Sequence, residues 1–264
     1  MIVNRVWHYH FGRGIVESPN DFGFNGGRPS HPALLDWLAT WFRDREYSLK
    51  KLHRLIATSA TYQQSSFDRP MPAGQIAAEI DQTNRLLWRQ NPRRVEAETL
   101  RDSMLVAAGV LDRQQFGPGY QDVQIVLVQK AHYYVADDSV SEPCHRRTIY
   151  RWNVRGQRSA LLETFDCPDP AIATPRRNVT TTPAQALTQW NSPFVLQMSK
   201  RLAERVQREA GTDAAAQVNH AWRLVLGRHP DEDEKSAASR LVKDSGLELL
   251  ARVLFNSNEL VWIE

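Results

Sequence analysis

A run of arginines is the feature of this sequence best suited to binding chemistry. Five arginines and no acidic residue lie between positions 146 and 158. If residues 146–155 form a strand, Arg147, Arg151 and Arg155 share one face and span about 13 Å. Guanidinium groups bind carboxylates, sulfates and phosphates through paired hydrogen bonds. The row therefore predicts contact with an anionic polymer or an acidic partner. The alternative is a solvated face that pairs with nearby acids, namely Glu163, Asp166 and Asp169.

Two aspartates that follow the arginines are weak catalytic candidates. Asp166 and Asp169 lie in the segment Asp-Cys-Pro-Asp-Pro, and glycoside hydrolysis requires two carboxylates. Aspartates in such a loop also accept hydrogen bonds from nearby backbone amides, so turn formation explains the same pattern. The sequence contains no Gly-x-Ser-x-Gly elbow, phosphate-binding loop or dinucleotide fingerprint that would indicate another chemistry.

Histidines near the N-terminus do not make a metal site by themselves. His8 and His10 point about 200° apart on a regular helix, so they cannot bind one ion together. A metal site would need further ligands, and His31 and the carboxylate of Asp21 are the candidates. Adding them does not help, because His8 and His10 still could not bind the same ion. We therefore predict no metal. His8 and Asp21 remain candidate binding residues, because a polar pocket that joined them to the arginine row would indicate an enzyme.

Two amphipathic helices between Ser30 and Ser66 are the clearest structural elements that could position these groups. Apolar residues recur there at intervals of three and four. Ser30 and Ser48 are predicted N-caps, and Pro32 falls in the first turn, where its missing N–H has no cost. The short connector at 45–47 predicts that the two helices pack as an antiparallel pair.

The segments on either side of this pair are predicted from similar signals. Ile2–Phe11 has the apolar spacing of a short helix. We expect its Trp7 to lie in an exposed hydrophobic patch, because upstream sequence that would cover it is missing. Residues 67–84 are polar and rich in turn formers, which predicts a loop with one helical turn over Gln75–Ile80.

The middle of the chain changes character after Phe116–Gly119. The β-branched and aromatic runs Val123–Gln129 and Tyr133–Ala136 predict two strands, and the alternating residues 146–155 predict a third. The side chains of the third strand that we expect to face the core are Tyr150, Trp152 and Val154.

Helical patterns cover most of the remaining sequence, so the predicted fold class is mainly α. We predict a multi-helix domain with a small antiparallel β hairpin or sheet inserted mid-chain. Asp231 and Glu234 form a predicted capping box, and Gly109 is a predicted helix end. The predicted domain is 1–264, with sub-regions 1–115, 116–158 and 159–264. Helices outside the central pair are predicted over 93–108, 159–165, 183–191, 194–209, 214–226 and 247–255, with one more after Asp231.

Composition excludes several classes of function. The 264 residues carry 33 basic and 30 acidic side chains, a formal charge of +3, which argues against nucleic-acid binding. No run of eighteen apolar residues is present, so no membrane span is predicted. Two cysteines, Cys144 and Cys167, are compatible with free thiols or one disulfide. Without a Cys-x-x-Cys-His motif the chain attaches no c-type haem itself.

A series of longer motifs covers nearly the whole chain in order and resembles one known family. That family is a planctomycete C-terminal domain of unknown function, which typically ends large exported proteins with a cytochrome-c-like domain and a second uncharacterised domain upstream. The motifs are NRVWHYHFGRGIVESPNDFG, SHPALLDWLATWF, SLKKLHRLIATSATYQQSS, NRLLWRQNPRRVEAETLRDSML, TTTPAQALTQWNSPFV and AWRLVLGRHPDEDE.

The resemblance implies a setting that the residues alone do not. It implies that the chain is part of a larger exported or periplasmic protein, that upstream domains pack on residues 1–11, and that any haem belongs to an upstream domain. We expect no cofactor in this chain itself. The predicted function is a non-catalytic interaction or scaffold module, with an anionic polysaccharide as the expected partner besides the upstream domains. The alternative is an enzyme acting on an anionic or sulfated glycan, with Asp166 or Asp169 as acid/base.

Overall fold

The computed structural model describes residues 1–67, 71–137 and 141–263, and the chain divides there into two compact units. Unit one consists of Met1–Arg93 together with the residues from Trp262 onward. Unit two consists of Arg94–Val261. The chain therefore leaves unit one once and returns to it once. The expectation of a single domain with three sub-regions stays a prediction.

Unit one is helical apart from a very short strand pair. Residues 68–70 of the predicted loop over 67–84 lie outside the described residues, and a helix of eight residues replaces the single turn expected at 75–80. The elements are α1 (Ile2–Phe11), α2 (Pro32–Asp44), α3 (Leu49–Ala57) and α4 (Ala73–Ile80), followed by β1 (Arg93–Arg94), which pairs with β4 (Trp262–Ile263).

The core of unit one forms where α1 contacts both α2 and α3. The expectation that Trp7 lies in an exposed patch is wrong. Its side chain is only 8% exposed and stacks on Phe11, with ring centroids 4.3 Å apart. Residues of this chain cover it, so no further sequence is needed to bury it. The other buried members of this cluster are Val3, Val6, Ile15, Leu38, Phe42, Leu52 and Ile56.

One of the two predicted N-caps in unit one is confirmed. The Ser48 hydroxyl accepts a hydrogen bond from the Lys51 amide at 3.4 Å and caps α3. The prediction for Ser30 is wrong, because the N-cap position of α2 is His31, one residue later, whose side chain makes no capping hydrogen bond. The backbone amide of Ser30 instead donates to the Ile15 carbonyl at 2.9 Å, so this serine fastens the preceding loop.

Unit two contains most of the long helices. Its first helix begins at Ala97, four residues later than predicted, because residues 93–94 are extended and Glu96 precedes the first turn. The elements are α5 (Ala97–Ala108), β2 (Val123–Val128), β3 (Ala131–Ala136), 3-10 helices at Glu142–His145 and Thr148–Tyr150, α6 (Ala160–Thr164), α7 (Pro183–Asn191), α8 (Pro193–Ala210), α9 (Ala214–Val225), α10 (Glu232–Ser245), α11 (Leu247–Phe255) and α12 (Asn258–Val261).

Helix α8 lies at the centre of unit two and contacts α5, α7, α9 and α11. Its fully buried Val195, Met198 and Leu202 recur every three or four residues, which places them on one side of the helix. The predicted capping box of α10 is present in both directions between Asp231 and Glu234. The predicted fold class, mainly α with a small antiparallel hairpin, is confirmed.

The hairpin β2–β3 is confirmed near its predicted position. Val123 pairs with Ala136 at its base and Val128 with Ala131 at its end. Gln129 and Lys130 form the two-residue turn, and both have positive φ, as tight hairpin turns require.

The third strand predicted over 146–155 is wrong. The segment contains the 3-10 helix Thr148–Tyr150, and it touches strand-like neighbours only through single bridges at Arg146 and Arg151. Val154 is buried as expected, yet Trp152 is more than one-third exposed. Hydrogen bonds from side chains fix the backbone of residues 146–155. The alternation of apolar and polar residues in this segment therefore does not determine its conformation.

Within the described ranges, no helix is both long enough and apolar enough to cross a membrane.

Candidate functional site

A cavity of about 450 Å³ opens in unit two, within the size range of small-molecule sites. We call it the unit-two cavity. Its wall comes from the base of the hairpin, the segment 144–151, the start of α6 and the junction of α7 and α8. The apolar lining residues are Val123, Ala136, Ala160, Leu161, Leu187, Pro193 and Phe194, and the polar ones are Arg101, Asp122, Asp137, Cys144, Arg151, Arg158, Ser159, Thr188, Asn191 and Ser192.

Two aspartates face each other where the hairpin meets the cavity. Asp122 precedes β2 and Asp137 follows β3, and the amide of Asp137 donates to the carbonyl of Asp122 at 2.9 Å. Directly opposed residues of an antiparallel pair place their side chains on the same side of the sheet. The hairpin therefore brings two carboxylates to one edge of the cavity.

Arg151 fixes one of these carboxylates. Its Nε donates to Oδ2 of Asp122 at 2.6 Å, and its side chain is only 7% exposed. Its Nη1 donates to Oδ1 of Asn153 at 3.2 Å. The other carboxylate oxygen of Asp122, Oδ1, is buried and has no hydrogen-bond partner in the described part of the chain. Asp122 thus has a single cationic partner among the described residues, and its side chain is 22% exposed.

Arg101 has a structural role on the opposite wall. From α5 it donates to the carbonyls of Cys144 and Arg146 and to the hydroxyl of Thr148. Its guanidinium also lies 5.1 Å from the ring centre of Phe194 and 5.3 Å from that of Tyr120. Irregular backbone carbonyls need donors when they are buried. Arg101 supplies them and thereby shapes the cavity wall.

Cys144 and Tyr120 remain protonated at neutral pH. Burial raises the pKa of the Cys144 thiol, and the charges of Asp122 and Asp137 raise it further. Burial likewise raises the pKa of Tyr120 to about 12. A thiol whose pKa is raised is a poor nucleophile, because the thiolate is the reactive form. Neither residue is suited to covalent chemistry.

The rim near α6 carries Arg158, whose side chain is about half exposed. Its Nη1 donates to Glu163 at 2.5 Å and its Nη2 to Asp169 at 2.8 Å. These two bonds use two of the five N–H donors of the guanidinium. Arg158 can still donate to a ligand, but its charge is already balanced.

The strand that would align Arg147, Arg151 and Arg155 is not formed, and the role of these arginines in binding stays a prediction. Of the three, only Arg151 lines the unit-two cavity, and it is occupied by Asp122. Arg147 is exposed, with its Nε 3.8 Å from Asp102, and Arg155 is exposed as well. The 3-10 helix and the single bridges break the period of two that would have aligned them.

Asp169 holds a turn, whereas Asp166 fastens its loop to a distant segment of the chain. Asp166 has a positive φ and accepts hydrogen bonds from the amide and hydroxyl of Thr180 at 2.8 and 3.0 Å, and its carboxylate lies 3.3 Å from Arg94. Asp169 accepts from the Ala171 amide at 2.8 Å besides pairing with Arg158. Neither lines the unit-two cavity. Their catalytic role stays a prediction.

His8 and Asp21 belong to unit one, and the lining of the unit-two cavity includes neither. Asp21 accepts a hydrogen bond from the Gly23 amide at 2.9 Å, as a turn aspartate does. His10 pairs with His53 at 2.8 Å, and His31 pairs with Ser30 at 2.9 Å. The described residues contain no group of three or more His, Cys, Asp or Glu that could hold a metal ion.

Sequence reasoning missed Asp122 and Asp137, although a signal for them was present. Each directly flanks one of the two predicted strands on the side away from the turn. Pairing the strands by their turn places the two aspartates opposite each other. Their approach to α6 and α7 depends on tertiary packing, which the local pattern does not contain.

Comparison with known proteins finds one family. The model of the family PSD1, described as a protein of unknown function (DUF1553), matches residues 1–242. No curated protein matches the chain significantly. No solved structure does so either.

Proposed function

The chain belongs to the PSD1 family of proteins of unknown function (DUF1553), and on that premise we propose that it is a saccharide-binding interaction module. The ligand would occupy the unit-two cavity. The observation that carries the proposal is the composition of the cavity wall, which combines carboxylates, guanidinium groups and a side-chain amide with apolar side chains.

Each part of the wall matches one feature of a sugar. Asp122 and Asp137 can accept hydrogen bonds from hydroxyl groups, while Arg158 and Asn191 can donate to hydroxyl and ring oxygens. Leu161 and the other apolar lining residues suit the C–H face of a sugar ring. Sites of this kind combine a few polar groups that orient the ligand with an apolar lining that excludes water.

The polar groups also favour binding over catalysis. Cys144 lines the cavity, and Tyr120 lies with its ring centre 5.3 Å from the guanidinium of the lining residue Arg101. Burial raises the pKa of both groups, so neither is a ready nucleophile at neutral pH. Arg151 holds Asp122 in an ion pair at 2.6 Å. We propose a module without catalysis of its own, which needs no cofactor to bind.

The setting inferred from the resemblance belongs to the same proposal. We propose that the chain is part of a larger exported protein, with any haem in an upstream domain and the upstream domains as partners. The test is the location and cofactor content of the complete protein in its own cell. Recovery of the complete protein from the cytoplasm would contradict export.

Blocking the cavity tests the proposed function. Ala160 lines the cavity at the start of α6, whereas Ala184 is an exposed residue in the first turn of α7 and is absent from the lining. Ala160→Trp should reduce binding to a panel of neutral, amino and acidic oligosaccharides at least tenfold in calorimetric titrations. The matched variant Ala184→Trp should bind like the wild type. Saccharide binding that survives Ala160→Trp, or no binding by the wild type, would refute the proposal.

An enzyme acting on an anionic or sulfated glycan is the second candidate. One observation favours it: Asp122 and Asp137 lie at one edge of the cavity, and glycoside hydrolysis uses two carboxylates. In that case the wild type should release reducing ends from a substrate of the panel, and Asp137→Asn should abolish release while saccharide binding persists. Binding without release would leave the interaction module as the answer.

A further inference from the structure

The formal positive charge of this chain lies in unit one. Residues 1–93 contain twelve lysines and arginines against eight aspartates and glutamates, and the last three residues add one glutamate. Residues 94–261, which form unit two, contain twenty-one side chains of each sign. Unit one therefore carries the whole formal charge of +3, and unit two is neutral.

Helix α3 presents the part of this charge that has no acidic neighbour. Arg54 lies three and four residues after Lys51 and Lys50, so the three exposed side chains share one side of the helix. The sequence of α3 contains no acidic residue, and none of the three cations forms an ion pair with a described residue. Like charges at this spacing repel each other, and the two lysines also lie at the positive end of the helix dipole. An anionic partner would offset both effects.

Large apolar side chains are exposed next to these cations. Tyr47, in the connection between α2 and α3, is 63% exposed, and Leu49, the first residue of α3, is 46% exposed. On α2, Trp37 is 52% exposed, and its ring centroid lies 6.5 Å from that of Trp41. The guanidinium of Arg45 lies 5.5 Å from the centre of the Trp41 ring and extends this strip to the connection. We call the surface the α2–α3 corner, and its exposed members are Trp37, Arg45, Tyr47, Leu49, Lys50, Lys51 and Arg54.

The connection holds its aromatic side chain in an unusual backbone conformation. Glu46 and Tyr47 have φ of 57° and 55°, in the left-handed region that bulky residues rarely adopt. The ring of Tyr47 packs edge-on against that of the buried Phe42, with centroids 5.5 Å apart. Strained residues of this kind are concentrated at functional sites. The fold thus fixes an aromatic ring at the surface beside the cations.

We propose that the α2–α3 corner binds an anionic lipid surface. Lys50, Lys51 and Arg54 would contact the lipid phosphates, and each such cation contributes about a fivefold gain in affinity. The rings of Trp37 and Tyr47 suit the headgroup region, where one part of a ring is in an apolar environment and the other is in water.

Apolar contact favours a lipid over other polyanions. A sulfated or uronate-rich polysaccharide would pair with the cations, but it offers no apolar medium to Leu49. The apolar side of α3 itself, Leu52 and Ile56, is buried in the core of unit one, so the lipid contact is made by the corner alone. The inference does not rest on the saccharide-binding function, because the corner and the unit-two cavity share no residue.

Vesicle sedimentation with the whole chain tests the inference. One set of vesicles consists of phosphatidylcholine, and in the other set one-third of it is replaced by phosphatidylglycerol. At low salt the wild type should bind the anionic vesicles about a hundredfold more tightly than the neutral ones. High salt should remove most of this difference, because it screens exposed charges.

Two matched double variants assign the binding to the corner. Lys50→Gln with Lys51→Gln should weaken binding to the anionic vesicles by about tenfold or more. Lys200→Gln with Lys243→Gln removes the same charge from exposed positions on α8 and α10 and should bind like the wild type. Circular dichroism of both double variants checks that they are folded.

The variant Leu49→Gln tests the apolar contact without changing the charge. It should weaken binding to the anionic vesicles about fivefold. Ile172→Gln, at an exposed position of unit two, is the control and should have no effect. An unchanged affinity in Leu49→Gln would overturn the choice of a lipid as the partner.

Other results would also contradict the inference. Equal binding of the wild type to both kinds of vesicle, or a preference that survives Lys50→Gln with Lys51→Gln, would overturn it. Tighter binding to a sulfated polysaccharide than to anionic vesicles, at the same concentration of charge, would assign the corner to a glycan instead. Ala160→Trp should bind vesicles like the wild type, so failure of the cavity test and failure of the vesicle test are distinguishable.

Discussion

Individual arginine side chains hold the irregular part of unit two. Arg146 donates to the carbonyls of Gln114, Phe116 and Pro118 at 3.2, 2.8 and 2.7 Å, and Arg101 does the same for the segment that follows Cys144. Arginines that look alike in sequence therefore have different roles. Two are buried and bind backbone, whereas Arg147 and Arg155 are exposed.

Replacing Arg101 should destabilise the protein strongly. In Arg101→Met the buried carbonyls of Cys144 and Arg146 lose their donors, and we expect a loss of about 2–4 kcal/mol in the free energy of unfolding. Arg201→Met on the exposed side of α8 is the matched control and should cost less than about 0.5 kcal/mol. Urea denaturation of both variants measures this. Equal midpoints would show that the carbonyls are satisfied without Arg101.

A pH effect is expected from His10. Its pKa lies below the ordinary 6.5, first because burial disfavours the charged ring and then because His53 and Arg93 repel a proton. The folded state therefore binds fewer protons than the unfolded state as the pH falls through 6.5. The free energy of unfolding therefore has its full value above about pH 6.5, where His10 is neutral, and it declines as the pH falls below that value. The prediction is a lower melting temperature at pH 5.5 than at pH 8.

The variant His10→Gln should flatten this pH dependence, because it cannot take up the proton. Replacing the exposed His229 by Gln is the control and should leave the slope as in the wild type. Thermal unfolding across the pH range distinguishes them. A slope that His10→Gln leaves unchanged would assign the effect to other groups.

At the scale of single elements, the start of α10 combines a capping box with an ion-pair network. Glu234 accepts from the Asp231 amide at 2.8 Å, and both of its oxygens accept from Arg228 at 2.7 Å. Arg228 is the main cause that lowers the pKa of Glu234 to about 2. Since the folded pKa is depressed, the stabilisation is present above the ordinary pKa of about 4.5 and is lost as the pH falls towards 2.

Glu234→Gln should therefore cost about 1 kcal/mol at pH 7, a modest value because the pair is largely exposed to solvent. The loss relative to the wild type should shrink as the pH falls from 4.5 to 2, where the wild-type carboxylate becomes protonated. Glu232→Gln in the same first turn is the control. Chemical denaturation at pH 7 and pH 3 measures both variants. A cost independent of pH would exclude Arg228 as the cause.

Elements whose signal is local were predictable from sequence, and elements fixed by distant side chains were not. The capping box of α10, the Gly109 end of α5 and the hairpin β2–β3 follow from neighbouring residues and appear in the structure. Residues 146–155 alternate in polarity, but Arg101 and Asp102 from α5 bind their backbone and impose 3-10 turns.

The candidate site shows the same difference between residues with a local signal and residues whose contacts depend on packing. Arg151 was named from sequence and lines the cavity, while Asp122 and Asp137 were not named because their meeting with α6 depends on packing. Asp166 and Asp169 are predicted from loop chemistry. Asp169 makes the expected turn contact with the Ala171 amide, whereas Asp166 binds Thr180, fourteen residues along the chain. The sequence indicates which residues carry charge. The partners that neutralise each charge become visible only in the folded chain.

On the scale of the whole molecule, unit one is assembled from both ends of the sequence. Its helices come from the first 93 residues, yet the partner of β1 is β4, more than 160 residues later. A chain that stops after Val261 should lose hydrogen-exchange protection in unit one at the β1 residue Arg93. The helices α8 and α11 of unit two should keep theirs. Unchanged protection at Arg93 would show that β4 is dispensable.

Because unit one consists of two separate stretches of the chain, its structure also affects the order in which the units can fold during synthesis. Translation delivers residues 94–261 before the last strand exists, so the second unit can fold while the first still lacks a piece. Domains usually fold in the order of their synthesis, with the N-terminal one first. Here unit two can finish folding before unit one, because unit one still lacks β4. Unit one can close only after Trp262 and Ile263 have been synthesised, so its completion depends on prior synthesis of the whole of unit two.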